Sequence, residues 1–389
     1  MAARPTIPDE RFGARLARAQ AATADRSVAA LLVGAGADLH YLTGYSAILL
    51  ERLTMLVVPA TGRPVLVAPH LEAMAAADCA AARTGMVDVV GWDETDDPPA
   101  LVALILAQAL GAPVAGRDRV LVSHQLWAMF VLGLQRTLAG ASFGLATEVV
   151  RELRMVKDAD EIELLRLAAH AADRVIDQIA AAPLVGRTER DVSREVRERL
   201  LAEGHDSAEF AIVAAGPNSA SPHHEANDTV ITAGEPIVLD IGGSLGGYAS
   251  DTTRVLWVTG GDLAGGPTPE YRRLYDLLQT AQATASAAVR PGVACEAIDS
   301  AARDVIAAGG HGAEFIHRVG HGIGLEVHEE PYLVAGNAEP LREGVAFSVE
   351  PGIYVAGRYG ARIEDIVVCA PDGPDILNRS SRDLRVVAG

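Results

Sequence analysis

VLDIGGSLGGYASDTT, residues 238–253, places Asp240 and Asp251 in two apolar, β-leaning runs on either side of a glycine-rich turn. Burying one carboxylate alone is expensive, so a pair of them in strand-forming sequence calls for a shared partner. The midpoint between the two aspartates falls between Leu245 and Gly246, and a hairpin closed there would bring them together across its strands. Two acids side by side want a cation.

Working outward, FSVEPGIYVAGRYGARIEDIVV, residues 347–368, repeats the arrangement. Glu350 and Glu364 lie equally far from Gly357, each next to a Val or Ile. Between the two hairpins sits FIHRVGHGIGLEVHEEPY, residues 315–332, where Gly320, Gly322 and Gly324 let the backbone approach a neighbour closely and His321 can point inward. A single acid pair on a strand ordinarily faces solvent, and a lone histidine is ordinarily a packed or surface residue. Two symmetric acid pairs with a histidine between them reverse that reading.

Asp240, Asp251, His321, Glu350 and Glu364 offer four carboxylates and one imidazole, enough to balance two divalent cations. The oxygen-rich donors favour hard or borderline metals: manganese first, then cobalt, iron or zinc. Two such ions sharing a water lower its pKa to near neutrality and make a hydrolytic nucleophile.

The flanking sequence organises around this set. KDADEIELLRLAAHAADRVIDQIA, residues 157–180, offers Asp158 as a helix N-cap with Glu161 three residues on, then an apolar stripe of Leu164, Leu165, Ala168, Ala172, Val175, Ile176 and Ile179. A domain boundary falls just before it. Further helices are expected at 188–203, 268–289 and 295–309, with strands around 208–214 and 236–258 and β-rich sequence to the end. The order helix pair, strands, helix pair, strands describes an α+β domain with helices on a mostly antiparallel sheet. Ahead of it, residues 10–24 read as a helix, SVAALLV, LTMLVVPATGRPVLVAP and VDVVGW as strands, and 97–110 and 125–139 as helices. The expected domains are therefore 1–152, mixed α/β, and 153–389, catalytic.

Composition bounds the partners. The formal charge of −18 argues against nucleic acid or an anionic membrane surface, both of which are met by net positive protein. No apolar run approaches the ~18 residues of a membrane span. The start, MAARPTIPDERFGARLARAQ, has charges where a secretory signal needs its apolar centre, so a cytoplasmic protein is expected. Cys79, Cys295 and Cys369 are scattered without metal-type or redox spacing. The glycines near 242–247 and 320–324 lack the spacing and following helix of a dinucleotide fingerprint, which leaves an oxidoreductase reading with little support.

Taken together, LDIGG, YASDTTR, HRVGHGIGLEVHEEPY, VEPGIY and ARIED resemble the motifs of the creatinase/aminopeptidase, or pita-bread, metallopeptidases. The resemblance implies a pita-bread catalytic domain behind a smaller creatinase-type α/β domain. It implies that Asp240 ligates one metal, that Asp251 and Glu364 bridge both, and that His321 and Glu350 complete the shells. His223 in SPHHEAND matches a position near the substrate, with His224 beside it as the alternative. His328 matches the histidine that steadies the tetrahedral intermediate, Glu350 hands the proton to the leaving nitrogen, and His317 and Arg362 match further pocket positions, Arg362 also fitting a partner for the acids. Similar prolidases carry an arginine just after the His-Glu-x-Pro stretch to hold a dipeptide's carboxylate; here that position is Tyr332, which the resemblance, with His317 and Arg362, implies as a substrate-binding residue.

The expected activity is hydrolysis of the bond before proline in Xaa-Pro dipeptides. The alternatives are an Xaa-Pro aminopeptidase acting on longer peptides, a relative acting on a non-peptide small molecule, and a non-catalytic binding protein. A homodimer is implied, and His40, Tyr41 and Tyr45 are candidates for the cleft, against the plainer reading of residues packed on their own core.

Overall fold

The computed structural model describes residues 4–114 and 116–389. They form two compact units, residues 7–154 and residues 155–389, the latter with residues 4–6.

In the first unit, α1 (Asp9–Asp25) precedes β1 (Ala30–Gly34), α2 (Ala37–Thr43), the hairpin β2 (Met55–Pro59) and β3 (Val65–Pro69), and two short helices, α3 (Ala73–Ala77) and α4 (Ala80–Arg83). Then come β4 (Asp88–Trp92), α5 (Pro98–Leu110), β5 (Arg119–Val122), α6 (Ala128–Thr137), β6 (Ser142–Leu145) and α7 (Thr147–Met155). The six strands form one mixed sheet in the order β4-β3-β2-β1-β5-β6. Leu32, Met55, Val57 and Val120 from its centre pack with Val102 and Leu106 of α5 and Leu134 of α6. His40 and Tyr41 lie on α2. The Tyr41 ring is buried under the Arg15 guanidinium, 4.2 Å away, and its hydroxyl donates to Leu153 O at 2.8 Å, so it packs within its own unit.

The second unit opens with α8 (Ala159–Ala180), α9 (Glu189–Ala202), β7 (Ser207–Ala215), β8 (Glu235–Leu245), β9 (Tyr248–Ala249) and β10 (Thr252–Val258). It continues with α10 (Pro269–Ala288), α11 (Cys295–Ala308), β11 (Gly320–Gly322), β12 (Glu329–Leu333) and β13 (Ala346–Val349). It ends with β14 (Gly352–Val355), β15 (Tyr359–Arg362), β16 (Asp365–Ala370), β17 (Gly373–Ile376) and β18 (Arg385–Val387). One sheet runs β18-β10-β8-β7 and another β12-β11-β13-β16-β17, antiparallel except for the β10–β18 pair; β14 and β15 form a separate ribbon. The Asp158 carboxylate accepts from Glu161 N at 3.0 Å while Glu161 Oε2 accepts from Asp158 N at 2.9 Å, closing the capping box that starts α8. All seven residues of its expected stripe are buried.

Strand parity then decides what faces the site. Ile237, Leu239 and Ile241 of β8 pack under α8 and α9, which turns Val238 and Asp240 to the opposite face. On β10, Leu256 and Val258 join the α8–α9 core while Val255 and Trp257 pack toward α10 and α11. Val349, Ile353, Ala361 and Ile363 are core, so Glu350, Arg362 and Glu364 point the other way.

The first hairpin closes one residue later than expected. Its tip is Gly246-Gly247, both at positive φ (62° and 85°), so Leu245 pairs with Tyr248 and Asp240 pairs with Thr253. Asp251 is therefore diagonal to Asp240 across the strands, still on the same face, because moving the turn centre by one residue shifts the register by two. In the second hairpin, Ile353 pairs with Ala361 and Val349 with Asp365, one continuous register about Gly357 (φ 72°) that sets Glu350 opposite Glu364. The two carboxylates stand where the ladder breaks between β13–β16 and β14–β15. A bridge between Thr253 and Glu364 joins the two hairpins.

Candidate active site

The two hairpins and β11 enclose one cavity of about 940 Å³, lined by Asp240, Asp251, His321, Glu350 and Glu364 together with His223, His224, His317, His328, Arg318 and Arg362. His321 Nε2 lies 3.1 Å from Glu350 Oε1 and 3.6 Å from Asp251 Oδ2. Asp251, His321 and Glu364 each present a donor atom within 4.8 Å of the others. Gly320 is what lets β11 come so near: a Cβ there would sit 1.9 Å from Ser348 O. Ser348 Oγ in turn accepts from His321 N at 3.1 Å and donates to Glu350 Oε1 at 3.2 Å, fixing ligand and neighbour together.

The electrostatics of this cluster are incomplete without further positive charge. Burial first, and then the neighbouring carboxylates, push Asp251 and Glu364 well above the usual carboxylate range. Burial also raises Asp240, against the pull of the Arg362 guanidinium. Burial works upward on Glu350 too, but the hydrogen bond and charge of His321, with His317 and Arg362, outweigh it and hold Glu350 at about 2. Burial lowers His321, yet Glu350 and Asp251 leave it raised overall.

Asp240 Oδ1 and Glu364 Oε1 are buried without any hydrogen-bond partner among the described residues, although the other oxygen of each is held. Arg362 Nη2 donates to Asp240 Oδ2, and Thr253 Oγ1 donates to Glu364 Oε2 at 2.7 Å. A buried acceptor aimed at nothing costs about 1–3 kcal/mol. Orphaned oxygens, like-charged acids and a converging imidazole are what a site for divalent cations provides, so the residues fit such ions.

The chain's similarities agree. Residues 163–371 match the model of metallopeptidase family M24, and residues 15–156 match the creatinase/prolidase N-terminal domain. The chain belongs to metallopeptidase family M24. It is 47% identical to the protein named "Probable dipeptidase PepE" in Mycobacterium tuberculosis, over 97% of each chain, and 34% identical to an Xaa-Pro dipeptidase of Lactobacillus helveticus, over 90% of this chain and 92% of that one. The crystal structure of dipeptidase PepE from Mycobacterium ulcerans superposes with a TM-score of 0.90 at 45% identity, covering 98% of this chain and 99% of that one. As an M24 chain this is a metallopeptidase with a pita-bread catalytic unit and a creatinase-type N-terminal domain, and its reaction uses divalent metal ions. Among the described residues no helix is long and apolar enough to cross a membrane.

The remaining expected residues divide. His223 is exposed on the cavity wall, whereas His224 Nε2 is bound at 2.7 Å to Glu189 Oε2, a fully buried carboxylate that also accepts from Ala215 N at 2.8 Å. His224 is thus committed to packing the loop. The His328 ring stands edge-on to His321, centroids 4.2 Å apart; burial, then the charge of His321, drop its pKa to about 4. His317 Nε2 is 2.9 Å from the Tyr354 hydroxyl, which accepts from Arg362 Nη1 at 2.8 Å.

Tyr332 departs from expectation. It does not line the cavity; its ring lies instead beneath the guanidinium of Arg318, 4.2 Å away, and Arg318 does line it. The reason is that Tyr332 pairs with His321 on β12, and its ring serves as the floor for the arginine three residues before that histidine. Sequence reasoning missed Thr253, Tyr354 and Arg318. Strand parity carries a signal for the first two, since Thr253 is two residues past Asp251 and Tyr354 four past Glu350. Nothing local marks Arg318.

Proposed function

We propose that this M24 chain hydrolyses the peptide bond preceding proline in Xaa-Pro dipeptides, with two divalent cations, manganese first, held by Asp240, Asp251, His321, Glu350 and Glu364. The observation that carries the reading is the convergence of these five side chains on one cavity, with two buried carboxylate oxygens left without partners. The names of the relatives support the substrate class. Carboxylate oxygens with one imidazole and no thiolate support the choice of metal.

When bound, the cations supply the electrophile and the activated water that cleavage of an unactivated amide requires. The chain's own residues do the rest. Arg362 fixes Asp240 and the Tyr354 hydroxyl, and Thr253 fixes Glu364, so each carboxylate is held by one oxygen with the other free. His328, kept neutral near pH 7, donates an N–H to the carbonyl oxygen as it gains negative charge. Glu350, ionised, accepts a proton and returns it to the leaving nitrogen. That return matters because the proline nitrogen is a tertiary amide with no hydrogen of its own. His223, exposed on the cavity wall and without a hydrogen bond among the described residues, faces the substrate.

Hydrolysis of Ala-Pro, Gly-Pro and the tripeptide Ala-Pro-Ala with manganese, before and after chelation, tests this. Dipeptides should be cleaved, with activity lost on chelation and restored by manganese. A clear preference for the tripeptide, or full activity in metal-free protein, would overturn it.

A further inference from the structure

Three arginines line the cavity, and they are engaged differently. Arg362 is buried and bound to Asp240, Tyr354 and Thr253. Arg197 donates from Nη1 to the carbonyls of Ala208, at 2.9 Å, and Glu209, at 3.4 Å. Arg318, among the described residues, has neither a hydrogen bond nor an ion pair on its guanidinium. Its one side-chain contact of note is the face of Tyr332, 4.2 Å below.

That stack is informative. A guanidinium seated over an aromatic face is held there without spending its N–H groups, and the edge that carries them matches the two oxygens of a carboxylate. The placement fits as well. His317, just before it, is tied to Tyr354; the carbonyl of Val319, just after it, accepts from Glu350 N at 2.7 Å; and His321 follows two residues later. The positive charge is thus tethered beside the reacting groups without being neutralised by them.

We propose that Arg318, held over the Tyr332 ring, binds the C-terminal carboxylate of the substrate and so selects dipeptides over longer chains. The proposal rests on the Xaa-Pro reading above. In an Xaa-Pro dipeptide the carboxylate is borne by the carbon attached to the scissile nitrogen, so it must enter a site already crowded with acids and needs a cation facing it. In a longer peptide that group is an uncharged amide, and the nearest carboxylate lies a residue further on, roughly 3.5 Å away along an extended chain.

The test compares Ala-Pro with Ala-Pro amide, which differ only in that charge, on metal-loaded wild type, Arg318→Gln, Arg318→Lys and Tyr332→Leu. Wild type should prefer the free acid in kcat/KM by about 10- to 100-fold, the range of a charge-assisted hydrogen bond. Arg318→Gln should bring that ratio to within a few-fold of one, mainly through the KM for Ala-Pro. Arg318→Lys should restore part of it, and Tyr332→Leu should lower it without abolishing it. A wild type indifferent to the charge, or an Arg318→Gln variant that loses both substrates equally, would overturn the assignment. Calorimetric binding of L-proline against L-prolinamide to the same proteins reads the preference without turnover. An enzyme that cleaves neither substrate would therefore sink the Xaa-Pro reading while the binding ratio still decides Arg318.

Discussion

Stripping the divalent cations should leave a protein whose stability falls as pH rises. Asp240, Asp251 and Glu364 are all raised, chiefly by burial. An acid raised in the folded state keeps its proton where the unfolded chain has already released it. Its contribution is therefore full below about pH 4 and declines as pH rises toward the folded value, by about 1.4 kcal/mol per pH unit for each carboxyl still protonated. His321, raised by Glu350 and Asp251 against its burial, adds to the trend: its contribution is present below 6.5 and is lost as pH climbs through its folded value. Glu350, held at about 2, acts in the opposite sense but only in acid, below its ordinary 4.5. The histidines that burial lowers, His205 and His328 to about 4 among them, oppose this trend up to about pH 6.5, where the unfolded chain still holds their protons. Above about pH 7 they are neutral in both states and the cation-free slope is downward.

Cations take the place of those protons, so their affinity rises with pH. At a hundredfold excess over Kd they add about 2.7 kcal/mol, or about 5–10 °C in Tm for a unit of this size. Melting of chelated and manganese-loaded protein from about pH 6 to about pH 9 measures the gap, which should widen with pH. A gap that is absent, or that narrows as pH rises, would refute the account of the buried acids.

Two substitutions probe the surroundings. Lys157 Nζ lies 2.5 Å from Glu329 Oε1 with both side chains buried, so Lys157→Met should cost about 3–5 kcal/mol, read as a lower denaturant midpoint. Adding Glu329→Leu should recover part of that loss. His224→Ala removes the Nε2 partner of buried Glu189 and should cost about 1–3 kcal/mol of stability, whereas His223→Ala should leave Tm in place and lower kcat by about 100-fold. The reverse pattern would exchange the two roles.

Much of the catalytic unit was legible because its signals are local. The capping box of Asp158 and Glu161 and the stripe that follows specify α8 from adjacent residues alone, since a helix makes its contacts within a few positions. Gly357 centres the second hairpin, and counting outward from it pairs Glu350 with Glu364. The same counting about the first hairpin missed by one residue at its centre. Symmetric counting sets Asp240 directly opposite Asp251, whereas the turn forms at the two glycines that tolerate positive φ. The face survived the error because a shift of two residues preserves alternation.

His224, engaged with Glu189 thirty-five residues away in sequence, shows the limit from the other side: the partner that commits it is chosen by the fold. Tyr332 shows it again, since Arg318 reaches it from the segment just before β11.

The sequence by itself determined which side chains share a strand face and where the chain turns, because alternation and glycine placement act over a few residues. Only the tertiary structure decided which strands meet: that Thr253 bridges to Glu364, that β11 can press against Ser348 at Gly320, and that an arginine lies over Tyr332. Those are contacts between distant segments, set by the packing of whole sheets and helices, and no local pattern of residues encodes them.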